Sequence, residues 1–209
     1  ITWTRLTGWP LVAPSPIPFL GCEMPGVLTV AEIEGLVSAF AQTARRAQEA
    51  GFDAVELHCT HSYLLSQFLS PLTNRRTDKY GGDLEGRMRF PLEVLAAVKE
   101  QTGRDYPVLC RISGDDGVPG GISLSEARLI ARRLEQAGAD AIHVSASTSV
   151  NTVEEQRQAK FFSAVPTMGN PLCCIVHLAR GIKEAVHVPV IAVGRFISPL
   201  LAEEVLQRG

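Results

Sequence analysis

The chain has no pair of cysteines in CxxC spacing, and its five cysteines (Cys22, Cys59, Cys110, Cys173 and Cys174) are odd in number. Both facts argue against a disulfide framework and against a zinc knot, and leave reduced thiols. No apolar run is long enough to span a bilayer. No charged start followed by an apolar stretch and a small-residue cleavage site marks a secretory leader, so a cytoplasmic protein is expected. Basic residues are not in excess either. A net charge of −2 gives nucleic acid nothing to hold, and the expected partners are small molecules rather than nucleic acid or membrane. What remains is 209 residues with 45% hydrophobic content, enough for one globular unit with a sizeable core.

Apolar runs at residues 54–58, 107–113, 141–145 and 188–194 mix β-branched and aliphatic side chains without sustained polar alternation, as strands covered on both faces do. Helical patterns separate them. Thr29 with Glu32 predicts a capping box ahead of Ile33, Leu36, Val37 and Phe40, in a helix closing near Ala50 and Gly51. Residues 84–101 form the next, with Leu92, Leu95, Ala96 and Val98 inward and Gly103 past its end. Ser123 with Glu126 caps a third, residues 172–185 form a fourth, and Ser198-Pro199 opens a fifth. Two similar helix-to-strand turns, Glu49-Ala50-Gly51-Phe52-Asp53-Ala54 and Gln136-Ala137-Gly138-Ala139-Asp140-Ala141, support a repeated βα unit.

The fold class is therefore α/β, with about four βα units of a parallel sheet. A closed (β/α)8 barrel takes eight strands and typically ~250 residues, so residues 1–209 are read as one partial barrel domain. The start, Ile1-Thr2-Trp3, has no initiator methionine, and Gln207-Arg208-Gly209 stops in a turning helix; both ends are expected to be cuts. Open strand edges and a bare inner face are liabilities, so either a longer gene product or association with another copy, a homo-oligomer, is expected.

The densest chemistry lies in His58-Cys59-Thr60-His61-Ser62-Tyr63, where the first strand surfaces. Barrels keep their chemistry at that carboxyl rim. Two hydrogen-bond donors and a phenol suit reduction of a conjugated carbonyl compound, which needs a hydride at the β carbon, a proton at the α carbon and donors for the charge developing on oxygen. Downstream, Gln67-Phe68-Leu69-Ser70-Pro71-Leu72-Thr73-Asn74-Arg75-Arg76-Thr77-Asp78-Lys79-Tyr80-Gly81-Gly82 continues into Leu84-Glu85-Gly86-Arg87-Met88-Arg89-Phe90. This ordered string resembles the old yellow enzyme family of FMN-dependent NAD(P)H oxidoreductases, above all its branch containing 2,4-dienoyl-CoA reductase.

The resemblance implies that the runs are barrel strands four to seven, with the first three strands, part of the flavin site and the eighth strand outside this sequence. It implies FMN as cofactor and NAD(P)H as reductant. His58 and His61 would hydrogen-bond the substrate's carbonyl oxygen, and Tyr63 would protonate its α carbon. Arg111 would lie near the flavin N1 and C2 oxygen, where a cation stabilises the anionic reduced ring. Gly194 and Arg195 would meet the FMN phosphate. The branch often carries an iron-sulfur cluster beyond the last strand; no such cysteine cluster lies here, so one is expected only in a C-terminal extension. The family has small residues between the two imidazole positions and glycine before the tyrosine. Cys59, Thr60 and Ser62 depart from that, which bears on substrate preference.

Other readings accompany these. A second reading makes Arg111 an ion-pair partner of Asp115 or Glu56, and Gly194-Arg195 a tight strand exit. Two imidazoles three residues apart could share a metal ion, but no acidic or cysteine ligand follows at a recognisable spacing, and no metal is expected. Cys59 admits a reactive thiol, although strand alternation turns it away from His58. His143, His177 and His187 are read as ordinary surface or core residues. The stretch 70–89 is read as a rim loop braced by ion pairs, with Arg75 or Arg76 a lesser candidate for an anionic substrate or the phosphate of a CoA thioester. Against the oxidoreductase stand a non-flavin phosphate-binding aldolase or isomerase and a truncated, inactive barrel fragment.

Overall fold

A computed structural model of the protein describes residues 10–19, 21–146 and 166–208. Ile1-Thr2-Trp3 and Gly209, on which the reading of the ends rests in part, lie outside them. Two short strands, β1 (Val12–Ala13) and β2 (Gly26–Val27), pair in parallel ahead of helix α1 (Val30–Glu49). Then follow β3 (Val55–Cys59), α2 (Leu64–Leu69), α3 (Leu84–Thr102), β4 (Val108–Ser113), α4 (Leu124–Gln136), β5 (Ala141–Ser145), α5 (Val176–Lys183), β6 (Val190–Ala192) and α6 (Pro199–Gln207). Strands β3 to β6 form one parallel sheet in sequential order with helices between them, the architecture of part of a (β/α)8 barrel.

The helix starts follow local chemistry. Thr29 accepts from the Glu32 N–H while the Glu32 carboxylate accepts from Thr29, a complete capping box. Ser123 accepts from Glu126 N–H, but the Glu126 carboxylate turns to Arg87 instead of reciprocating. Ser198 caps α6 with Pro199 in its first turn. Helix α5 begins at Val176 rather than 172, because Cys173 at φ 54° leaves the helical region. On α3, Leu95 and Val98 are fully buried and Leu92 partly so, whereas Ala96 is exposed and Val94 packs inward.

Strand alternation gives the sheet two unlike faces. Leu57, Cys59, Val108, Cys110, Ile112, Ile142 and Val144 are buried in the core beneath the helices. Phe68 meets Phe90 in a tilted contact at 4.7 Å and Tyr80 edge-on at 6.4 Å, tying α2 and the rim loop to α3. The opposite face carries Glu56 and His58 on β3, Leu109, Arg111 and Ser113 on β4, Ala141, His143 and Ser145 on β5, and Ile191 on β6, aligned by the parallel register, with Thr60 just past the end of β3 bonded to Ser113.

The rim loop is built from buried polar groups. Asn74, 4% exposed, donates to the carbonyls of Phe68 and Tyr80 at 2.8 Å each and accepts from Arg76 N–H. The Arg76 guanidinium pairs with Asp78 at 2.5 Å and donates to the Pro14 and Leu28 carbonyls. Arg76 is thus committed to bracing the N-terminal segment, and of the two arginines Arg75 is the exposed one.

Candidate active site

His58, His61 and Tyr63 meet in space as well as in sequence. The chain leaves β3 through His61 and Ser62, both in the left-handed region at φ 57° and 61°, and Tyr63 N–H returns to the Thr60 carbonyl. This reversal sets the His58 ring edge-on to both His61 (5.0 Å) and Tyr63 (5.1 Å). Tyr63 is the N-cap of α2 and half exposed, and its ring also walls an apolar cleft of about 350 Å³ formed with Val12, Ile17, Phe19 and Leu64.

Hydroxyl residues at the strand ends, not anticipated from the sequence, lie beside the imidazoles, and one of them bonds His61. Ser145 Oγ lies 2.8 Å from His61 Nε2, and Thr60 Oγ1 lies 2.7 Å from Ser113 Oγ, with all three hydroxyl residues buried. Ser113 and Ser145 each close a strand on the same face, a spacing of the kind that marks them once strands are aligned. Arg111 pairs in register with His58, and its positive charge acts on both rings. Among the described residues Arg111 forms no ion pair with Glu56 or Asp115; Glu56 binds His143, and Arg111 Nε and His58 Nε2 are buried without a hydrogen-bond partner.

Burial, and then the Arg111 charge, lower the His58 pKa; the same two causes, followed by His58 itself, bring His61 down to about 4. Both rings are therefore neutral hydrogen-bonding groups at neutral pH. His61 is expected to titrate near pH 4 when followed by NMR. Because the unfolded chain takes up its proton near 6.5, stability should rise with pH between about 4 and 6.5 and gain nothing more from this group above that window. Cys59 is not a competing nucleophile: burial raises its thiol pKa well above the ordinary value.

Gly194 and Arg195 follow β6. Gly194 sits at φ 118°, and a Cβ there would lie 2.7 Å from Ile175 Cγ1. Gly194→Ala should therefore destabilise the fold by about 1–3 kcal/mol in thermal or denaturant unfolding. Arg195, also left-handed at φ 57°, donates from Nη1 to the carbonyls of Met168 (2.8 Å) and Asn170, which binds the 168–170 turn to the strand exit. Among the described residues no helix is long and apolar enough to cross a membrane.

Known proteins resemble this chain in sequence and fold. A protein named "Metal reductase" from Desulforamulus reducens is 47% identical over 207 residues, covering 99% of this chain and 30% of that protein. An "NADPH dehydrogenase" from Geobacillus sp. is 40% identical over 200 residues, covering 95% and 54%. The solved complex of 2-naphthoyl-CoA reductase with 2-naphthoyl-CoA superposes with a TM-score of 0.82 at 30% identity, over 95% of this chain and 29% of that one. The chain thus spans from about a third to about half the length of these relatives. The sequence model for the NADH:flavin oxidoreductase / NADH oxidase family matches residues 19–209, and with that match over nearly its whole length the chain belongs to this family.

Proposed function

We propose that this chain is the central and C-terminal part of the barrel of an FMN-dependent NAD(P)H oxidoreductase that reduces activated C=C bonds of α,β-unsaturated carbonyl or enoyl- and dienoyl-CoA compounds. The observation that carries this reading is the convergence of two neutral imidazoles and a half-exposed phenol at the carboxyl end of a parallel sheet. His58 and His61, kept uncharged by burial, donate hydrogen bonds to the substrate oxygen and strengthen them as negative charge develops there. Ser145 fixes the His61 ring. Tyr63 gives its proton to the α carbon, and the apolar cleft on its other side takes the hydrophobic part of the substrate.

The residues present fit FMN. A buried guanidinium nitrogen without a partner suits the electron-rich edge of an isoalloxazine ring, and a glycine at the exit of β6, without a side chain, suits the close approach of a phosphate to backbone amides. Arg111 would hold the ring edge, and Gly194 with Arg195 the phosphate. When bound, FMN supplies the hydride that NAD(P)H delivered to it. The Arg111 cation favours the anionic, reduced ring.

The test is direct. Protein mixed with FMN and then freed of unbound flavin by gel filtration should stay yellow, with the flavin fluorescence quenched; NADH or NADPH should bleach it under anaerobic conditions, and an enone should restore the colour. Protein that neither retains FMN nor changes its fluorescence refutes the reading and favours the non-flavin barrel enzyme.

A further inference from the structure

Glu56 has a partner, but it is not Arg111. Its Oε2 lies 2.7 Å from His143 Nδ1, with side chains 31% and 15% exposed. A carboxylate only accepts, so Nδ1 carries a proton whatever the charge of the ring. The two residues stand on β3 and β5, with β4 between them. The register puts Glu56 level with Leu109 and His143 level with Arg111. Adjacent strands lie about 4.8 Å apart, so side chains meeting from β3 and β5 must close over the inner face of β4. The bridge runs diagonally across that strand, on the side of Arg111 away from the carboxyl rim.

This arrangement bears on Arg111. The bridge crosses β4 beside Arg111, whose charge acts on the rings of His58 and His61. The bridge also engages Glu56, the one carboxylate that the described strand residues place on this face. Arg111 Nε has no hydrogen-bond partner among the described residues, as a cation whose nearest candidate counterion is occupied would not.

We propose that the Glu56–His143 bridge is a positioning device that withholds the inner-face carboxylate from Arg111 and so keeps the guanidinium charge for the anionic form of the flavin ring. The inference rests on the reading of Arg111 as a flavin-facing cation. Released from His143, Glu56 would swing to Arg111, half-neutralise it and remove its preference for the reduced, negatively charged cofactor.

The experiment measures the midpoint potential of the FMN-loaded protein, with FMN dissociation constants in both redox states. In His143→Leu, preference for reduced over oxidised FMN is expected to fall about tenfold, equivalent to about 30 mV for a two-electron couple. Adding Glu56→Gln to His143→Leu should return the potential to the parent value, since the released side chain is then uncharged. His143→Gln, which keeps an amide donor for Glu56, should stay at the parent value and serves if the leucine variant folds poorly. Arg111→Met separates the two layers of the argument. A potential unchanged in Arg111→Met refutes the flavin-facing cation itself. A fall in Arg111→Met with none in His143→Leu overturns the bridge alone. Equal falls in His143→Leu and the double variant also overturn it, because they would report lost packing rather than a freed charge.

Discussion

In Tyr63→Phe, reoxidation of the NAD(P)H-reduced flavin by an enone is expected to slow by about 10²–10⁴-fold, the usual worth of a positioned general acid. Reduction by NAD(P)H should be left largely intact. The substitution removes one oxygen and keeps the ring, whose edge-on contact with His58 at 5.1 Å and place in the cleft wall do not involve the hydroxyl. Tyr63 is half exposed and caps α2 through its backbone, with no side-chain cap bond. The fold should therefore melt at the parent temperature, and any rate loss reports the proton. Stopped-flow spectroscopy of the two half-reactions decides it. Equal slowing of both, or of neither, would remove Tyr63 from its role. Replacing His61 is a less clean experiment, because it also leaves the buried Ser145 hydroxyl without its partner at 2.8 Å.

What could be read from the sequence was what is local. Thr29 with Glu32 announces a capping box because both halves lie within one helical turn, and residues 141–145 read as a strand because an unbroken apolar run between turn residues has few alternatives. The His58, His61 and Tyr63 cluster was legible for the same reason, six residues being enough to define it. Two-residue strands such as β1 and β2 carry no period to detect, and α2, six residues long with no capping side chain, is ordered by burial of Leu65, Phe68 and Leu69. The site's supports are invisible for a different reason. Ser145 meets His61 across 84 residues and His143 meets Glu56 across 87, so strand register must be known before either pair exists. That is how Glu56, weighed as a partner for Arg111, proved to belong to His143.

Arg87→Met is expected to cost about 3–5 kcal/mol, the range for breaking a buried ion pair from one side, and so to lower the melting temperature by roughly 6–20 °C. The Arg87 side chain is 8% exposed. From α3 it donates to the Leu69 carbonyl at the end of α2 and pairs with Glu126, in the first turn of α4, at 2.5 Å. One guanidinium therefore joins three helices around the base of the rim loop. Methionine fills similar volume but leaves a carbonyl and a carboxylate facing an apolar group. Glu126 is 21% exposed and recovers part of its hydration, which places the loss toward the lower end of the range. Adding Glu126→Leu should then restore a substantial part of the stability, since two apolar groups need no partners where one charge does. Urea unfolding of the parent, both single variants and the double variant closes the cycle. Were Arg87→Met as stable as the parent, apolar packing, such as the Phe68–Phe90 contact between α2 and α3 and the buried Ala127, Ile130 and Leu134 of α4, would suffice to hold the three helices, and the guanidinium would be a passenger on it.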